Sequence, residues 1–412
     1  MATKKQKQKS KQESALQYIT ENFLDYDRLR HDLISDQVQI NIAKPEDEPV
    51  WRNITAADIN DMVCNCAVEL GAAVTDKEIR AVINSHRVPD VHPLREYVYN
   101  CAEYTPDQPD WIGLLAKQVT VEGGADEQEE WRYCFTKWFV AMVASWLKDD
   151  VVNHQVLVLI GRQGIYKTTW LEYLIPPQLR NYSCKMASCS SLNKDDRLRI
   201  AEYGLISLDE IDAMTPRELN IIKSVITSSD ISERAAYRYN KERRIRLASF
   251  CASGNNSEFL TDLTGNRRWL PFIVLAIVAP QSASNAILYE HVYAQARYLI
   301  EHNFHYWFDS DDIAQLEKHN EDFRAQDNEE QLLFVYFDVP AEGYGKFLTT
   351  AEISYKLVSY GSIKKPMPLN KLGKILRQAG FAEKRTSKKR GFIVRELDSD
   401  EVNANRNLEA KM

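Results

Sequence analysis

The chain has 412 residues, a formal net charge of −7, 44% hydrophobic residues and 27% charged ones. That is an ordinary globular composition, and at roughly 150 residues per domain the length allows about three domains. No apolar run approaches the ~18 residues of a membrane span, and the lysine-rich N-terminus has no apolar stretch of a secretory signal, so membrane and secreted classes are excluded and a cytoplasmic protein is expected. Seven cysteines, an odd number with no C-x-x-C pair, read as free thiols of a reducing compartment.

Residues 1–13 read as a basic disordered tail, with Lys4, Lys5, Lys7, Lys9 and Lys11. From residue 14 to about 125 the pattern predicts an N-terminal helical region, with amphipathic helices over 14–34, 55–71 and 76–84 and another opening at His92-Pro. The acidic, glycine-bearing stretch from Glu122 to Glu130 reads as a loop. A core of 126–335 begins with the clearest helix. Trp131, Phe135, Trp138, Phe139, Met142, Val143 and Trp146 recur at helical spacing and form a broad apolar stripe, the mark of a packed core helix. Short apolar runs at 156–160, 204–208, 247–252 and 269–274 then alternate with helical patterns at 167–174, 193–202 and 216–228. This predicts an α/β fold with a parallel sheet covered on both faces. Helices over 284–303 and 311–325 trail the sheet, and Pro340 to Gly345 reads as a linker.

The first strand runs straight into Gly161-Arg-Gln-Gly-Ile-Tyr-Lys-Thr-Thr-Trp. A buried strand, a glycine loop, Lys-Thr and a helix form the context of a P-loop, whose backbone N–H groups and helix dipole face phosphate oxygens. The expected ATP-binding residues are Gly161, Gly164, Ile165, Tyr166, Lys167, Thr168 and Thr169. Lys167 would meet the β- and γ-phosphates, and Thr168 would ligate Mg²⁺. Tyr166 stands where the pattern expects glycine. Its side chain must point away from the phosphates, and its backbone lacks glycine's freedom at positive φ.

About 40 residues on, Gly204-Leu-Ile-Ser-Leu-Asp-Glu is an apolar strand ending in two acids, a Walker B pattern. Asp209 is expected to hold Mg²⁺ and Glu210 to activate the attacking water. The strand Leu247–Ala252 leads to Ser253-Gly-Asn-Asn. Asn255 is the expected sensor of the γ-phosphate or water, with Ser253 and Asn256 as alternates. Arg267 and Arg268 in Gly265-Asn-Arg-Arg-Trp stand where an arginine finger would be supplied, usually across a subunit interface.

In this order the motifs resemble the virulence-associated protein E family, P-loop ATPases of phages and mobile genetic elements similar to superfamily 3 helicases of the AAA+ class. The resemblance covers roughly residues 90–330. It rests on Pro93-Leu-Arg-Glu-Tyr, the Trp131–Trp146 helix, Gly161–Thr169, Ser207-Leu-Asp-Glu, Ile222-Lys223 followed by Arg234 and Tyr237, and above all Asn255–Trp269. Tyr166 departs from the family's usual glycine. The resemblance implies an AAA+-like core, an oligomeric, hexameric ring with ATP between subunits, and action on DNA during replication of a mobile element.

Two basic stretches extend this reading. Arg234 to Arg246 interleaves basic and aromatic residues, which suits single-stranded nucleic acid, and Arg238, Lys241, Arg243 and Arg244 are the expected contacts. At 345–398 a helix capped by Thr349 or Thr350, a second helix closed by Gly380 and two strands around a basic tip resemble a winged helix. Lys364 to Arg395 holds eleven Lys/Arg and one acid, a nucleic-acid footprint in which Lys388, Lys389 and Arg390 are the expected contacts. Residues 399–412 read as a tail. The expected function is an ATP-hydrolysing, DNA-acting motor or initiator. A nucleotide-switched assembly ATPase and a DNA-binding regulator without turnover are the alternatives.

Overall fold

The computed structural model describes residues 10–186, 200–228, 230–233, 242–260, 266–279, 286–324, 333–340, 344–360, 368–386 and 389–403; for 216–217, 230–233, 242–244 and 378 it describes the backbone alone. The chain divides into two compact units. One comprises Met1–Ser257 and Asp262–Asp322, the other Glu258–Thr261 and Phe323–Met412.

The first unit opens with α1 (Lys11–Ile19), started by a Ser10–Glu13 capping box and prolonged by a π turn to Leu24. The expected helix over 14–34 stops there. Asp27 takes φ 50°, and the chain turns into β1 (Leu29–Asp32) and β2 (Gln37–Asn41), an antiparallel hairpin. β3 (Trp51–Asn53), α2 (Ala56–Leu70), α3 (Asp76–Ile83) and β4 (Asp90–Val91) complete a four-stranded sheet in the order β3-β2-β1-β4. The region is therefore α+β rather than helical. Its strands are short, and their apolar positions Leu29, Val38 and Ile40 become core only when α1 and α2 cover them. A buried polar knot fixes the sheet to the rest of the unit. Asp32, fully buried, accepts from the Tyr182 hydroxyl at 2.9 Å and from Gln39 at 3.3 Å.

After α4 (Pro93–Asn100), α5 (Trp111–Ala116) and β5 (Val119–Val121) comes α6 (Gly124–Leu147). The acidic stretch read as a loop forms its first turns, where Asp126 and Glu127 face the positive end of the helix dipole. The aromatic stripe is core, as expected, and its indoles do more than fill space. Trp131 donates to Ala116 O at 2.9 Å, Trp138 to Phe250 O at 3.2 Å and Trp146 to Gly204 O at 3.2 Å. Each fully buried ring thus satisfies its one polar atom on a different backbone segment.

The central sheet is six-stranded. β6 (Val156–Ile160), β7 (Ser183–Met186), β8 (Leu205–Leu208), β11 (Ser249–Gly254) and β12 (Trp269–Ile277) are parallel, and β5 closes one edge antiparallel, in the order β5-β12-β6-β11-β8-β7. The glycine loop joins β6 to α7 (Lys167–Glu172). α8 (Pro216–Thr227) is followed by a hairpin of β9 (Asp230–Glu233) and β10 (Glu242–Ile245), and α9 (Tyr289–Glu301) and α10 (Ser310–His319) trail the sheet. The helix expected over 193–202 lies almost wholly outside the described residues.

Arg246 ends the basic stretch but is fully buried. Its guanidinium donates to Ser228 O at 2.9 Å, Ile226 O at 2.7 Å, Asn153 O at 2.9 Å and the carbonyl of Ala248. Burial lowers its pKa to about 9, so it stays charged at neutral pH. It caps the carbonyls at the end of α8 and ties that end to Asn153 and Ala248, the segments that lead into β6 and β11. Arg246→Met should destabilise this unit by about 3 kcal/mol or more, because several buried carbonyls lose their donor at once. Urea unfolding followed by tryptophan fluorescence would measure it, and a change below about 0.5 kcal/mol would remove this role.

The second unit contains β13 (Phe337–Asp338), β14 (Lys346–Thr349), α11 (Thr350–Ser359), α12 (Leu369–Gln378), β15 (Glu383–Arg385) and β16 (Arg390–Glu396). β16 pairs antiparallel with β13, β14 and β15. Thr349 is the cap, with Glu352 as its capping-box partner, and Gly380 takes φ 84° just beyond α12.

Candidate functional site

The loop glycines solve two local problems. A Cβ on Gly161 would lie 2.5 Å from the backbone oxygen of Val274, so the loop can leave β6 beside β12 only with glycine there. Gly164 adopts φ 85°. Tyr166 adopts φ 68° and ψ 17°, the left-handed conformation a glycine would take freely, at a cost of roughly 1–2 kcal/mol for a side-chain-bearing residue. Its ring is half exposed at the rim.

Lys167 then starts α7, and its ammonium folds back over the loop. Nζ donates to Gly161 O at 2.6 Å, Arg162 O at 2.7 Å and Asn255 Oδ1 at 3.3 Å. Burial lowers its pKa, opposed by the carboxylates of Asp212 and Asp209. Beside it the ends of three elements meet. Ser253 Oγ on β11 lies 2.9 Å from Thr168 Oγ1 and 2.9 Å from Asp209 Oδ1, and Thr168 Oγ1 is 3.3 Å from the same carboxylate oxygen. Burial pushes the Asp209 pKa up, but hydrogen bonds from Lys185, Ser253 and Thr168 outweigh it and hold the carboxyl below its usual range.

Together these groups line a cleft of about 330 Å³. Gly164, Tyr166, Lys167, Thr168, Thr169, Asp209, Glu210, Ser253 and Asn255 all reach it, and so does Gln163, which the sequence reading did not single out. Ile165 instead packs against the hydrophobic core. Glu210 is exposed and takes φ 52°, turning the chain into a short 3-10 helix, Ile211–Ala213. Of the residues offered for the sensor position, Asn255 touches Lys167, and Ser253 touches Asp209. The backbone N–H of Asn256 donates to Asp212 Oδ2 at 3.1 Å.

Two carriers of this geometry had weak signals or none. Asp212 is the third acid of Asp-Glu-Ile-Asp, a readable clue. Lys185, which contacts Asp209, is one lysine on a four-residue strand with nothing in sequence to mark it.

Arg267 and Arg268 do not line this cleft. They sit on a 3-10 turn before β12. Arg268 donates to Thr227 Oγ1 at 3.0 Å, beside Lys223 and Ser224 in a separate cleft of about 390 Å³, whereas Arg267 is exposed. Of the expected nucleic-acid contacts, Arg238, Lys241 and Lys388 lie outside the described residues. Arg243 and Arg244 lie on β10, in register with Ser232 and Ile231. Lys389 pairs with Glu352 at 3.2 Å and Arg390 with Glu383 at 2.5 Å.

Residues 114–325 match the family model described as the virulence-associated protein E-like domain, a little over half of the 412 residues. The chain belongs to the virulence-associated protein E-like family. The site of this family member lies entirely inside the match, while its N-terminal sheet and most of its second unit lie outside. Among solved structures, the apo structure of the NrS-1 C-terminal region is similar at 10% identity, with 92% of this chain and 99% of that chain covered and a TM-score of 0.48. An A-form apo structure of the same region gives 10% identity, 92% and 98% coverage and a TM-score of 0.47. Likeness at this level carries no functional reading. No curated protein matches this virulence-associated protein E-like chain. Among the described residues no helix is long and apolar enough to cross a membrane.

Proposed function

We propose that this virulence-associated protein E-like protein is an ATP-hydrolysing, DNA-acting oligomeric motor or replication initiator of a phage or mobile genetic element, built on a P-loop core of the AAA+ type. The observation that carries the proposal is the convergence of Lys167, Thr168, Asp209, Ser253 and Asn255 at the C-terminal ends of three parallel strands. A buried cation on a glycine loop beside a carboxylate is the arrangement that holds a nucleoside triphosphate.

The donor set suits Mg²⁺. Thr168 and Asp209 offer hard oxygen atoms, and among the described residues no group of three or more His, Cys, Asp and Glu could hold a metal by itself. A site completed by phosphate oxygens and water is what Mg²⁺ prefers. When bound with nucleotide, Mg²⁺ supplies charge neutralisation at the β- and γ-phosphates. Lys167 would exchange its loop carbonyls for phosphate oxygens. Ser253 orients the Asp209 carboxylate, and Glu210, exposed beside it, takes the proton of the attacking water. Asn255, already bonded to Lys167, reports on the γ-phosphate position. ATP turnover with and without single-stranded DNA, measured beside solution mass, tests this reading. DNA-stimulated hydrolysis by an oligomer supports it, and absence of ATP turnover sinks it.

The second unit carries two helices and an antiparallel hairpin whose exposed β15 residues Lys384 and Arg385 have no ion-pair partner among the described residues, which supports a winged helix laid on DNA phosphates. Replacing Lys388, Lys389 and Arg390 by alanine should flatten the slope of log affinity against log salt on duplex DNA by up to about 3 units, and Lys384 with Arg385 by about 2 more. Affinity should fall about equally for all sequences, since phosphate contacts position more than they read. Basal ATP turnover should stay near wild type. An unchanged slope in both variants would make these charges solvated or partner-facing ones that touch no DNA phosphate.

A further inference from the structure

We propose that Lys185 competes with the divalent cation for Asp209 and thereby sets how much Mg²⁺ the site demands; this rests on the nucleotide reading above. Both oxygens of the Asp209 carboxylate are already engaged by the protein. Oδ1 accepts from Ser253 Oγ at 2.9 Å and Thr168 Oγ1 at 3.3 Å, and Oδ2 faces Lys185 Nζ at 2.9 Å. These partners are not equivalent toward a metal ion. A hydroxyl keeps lone pairs and can stay beside a cation as a ligand or hydrogen-bond partner. An ammonium has donors only and carries the same sign of charge as the metal. A cation approaching Asp209, directly or through one water, therefore competes with Lys185 for the same negative charge, and is best held when Lys185 moves aside.

The surroundings make that displacement feasible. Lys185 lies on β7, the edge strand of the sheet next to the Asp209 strand β8. Its side chain is 47% exposed, and Glu172 offers a second anion 3.9 Å from the same Nζ. Lys167 cannot play this part, since its ammonium is committed to loop carbonyls and Asn255. Lys185 thus neutralises the carboxylate and would yield to Mg²⁺ arriving with nucleotide. Because the pair is partly solvated, the competition is modest, about two- to fivefold in the Mg²⁺ requirement.

The test is binding of a fluorescent ATP analogue, mant-ATP, to the full chain across a Mg²⁺ titration, with thermal melting as a check of folding. Lys185→Met should lower the half-saturating Mg²⁺ about two- to fivefold. It should leave analogue affinity at saturating Mg²⁺ unchanged. Lys185→Arg, which retains charge, should titrate like wild type. Lys185→Gln, neutral and polar, replaces the methionine variant if that one melts early. Normal analogue binding with an unchanged or raised half-saturating Mg²⁺ overturns the competition alone. Failure of the wild-type chain to bind the analogue at any Mg²⁺ overturns the nucleotide reading and this inference with it.

Discussion

Lys167→Ala should weaken ATP binding by about 100-fold or more, because it deletes the buried ammonium that would meet the β- and γ-phosphates. The loop geometry adds a reason for a large effect. Lys167 also holds Gly161 O and Arg162 O, so alanine removes the tether that keeps the loop folded around its own cation. Glu210→Gln should separate binding from chemistry. Glu210 is exposed and, among the described residues, is not a hydrogen-bond partner of Lys167 or Thr168, so mant-ATP affinity should stay within a few-fold. Turnover should fall by about 10²–10⁴, the contribution of a positioned general base. Retained affinity in Lys167→Ala would show that the loop is not a nucleotide site. Wild-type turnover in Glu210→Gln would move the base elsewhere, with Asp212 the next carboxylate to change.

Arg267→Ala should lower turnover by about 10³–10⁵, the contribution of an arginine finger, while leaving binding within a few-fold. The geometry separates the two arginines. Arg268 is tied to Thr227 and partly buried, which lowers its pKa through desolvation and the neighbouring Arg267 charge. Arg267 is exposed and away from the cleft of its own chain, as a residue serving a neighbouring subunit would be. Mixing Lys167→Ala and Arg267→Ala subunits should restore part of the activity, since some sites then pair an intact loop with an intact finger. Arg268→Ala should act mainly on stability. No complementation, together with a monomeric mass in the presence of ATP, would end both the finger and the ring.

Much of the candidate cleft is legible because its signals are local. Gly161, Gly164, Lys167 and Thr168 lie within eight consecutive residues, and a loop that leaves a buried strand and starts a helix has few conformations open to it. Asp209 and Glu210 follow from an apolar run that ends in acid, and α6 from Trp131 onward follows from aromatic periodicity. These patterns determined the parallel sheet, the loop and the family resemblance. Tyr166 shows where such reading stops. Its identity argues against positive φ, yet the surrounding loop and α7 hold it there, because the turn geometry outweighs one residue's preference.

Tertiary structure alone decided the rest. The order β12-β6-β11-β8 places Ser253 between Thr168 and Asp209, a contact spanning about 85 residues from one side and 44 from the other. Lys185 reaches Asp209 only because β7 pairs with β8. Arg246 looks like one more cation of a basic stretch, and its burial against the end of α8 follows from packing that no local pattern encodes. The N-terminal sheet, which stands beside the expected helices α2 and α3, went unread for the same reason. Strands of two to five residues have too little periodicity to declare themselves, and become stable only when distant partners supply their hydrogen bonds and cover their apolar face.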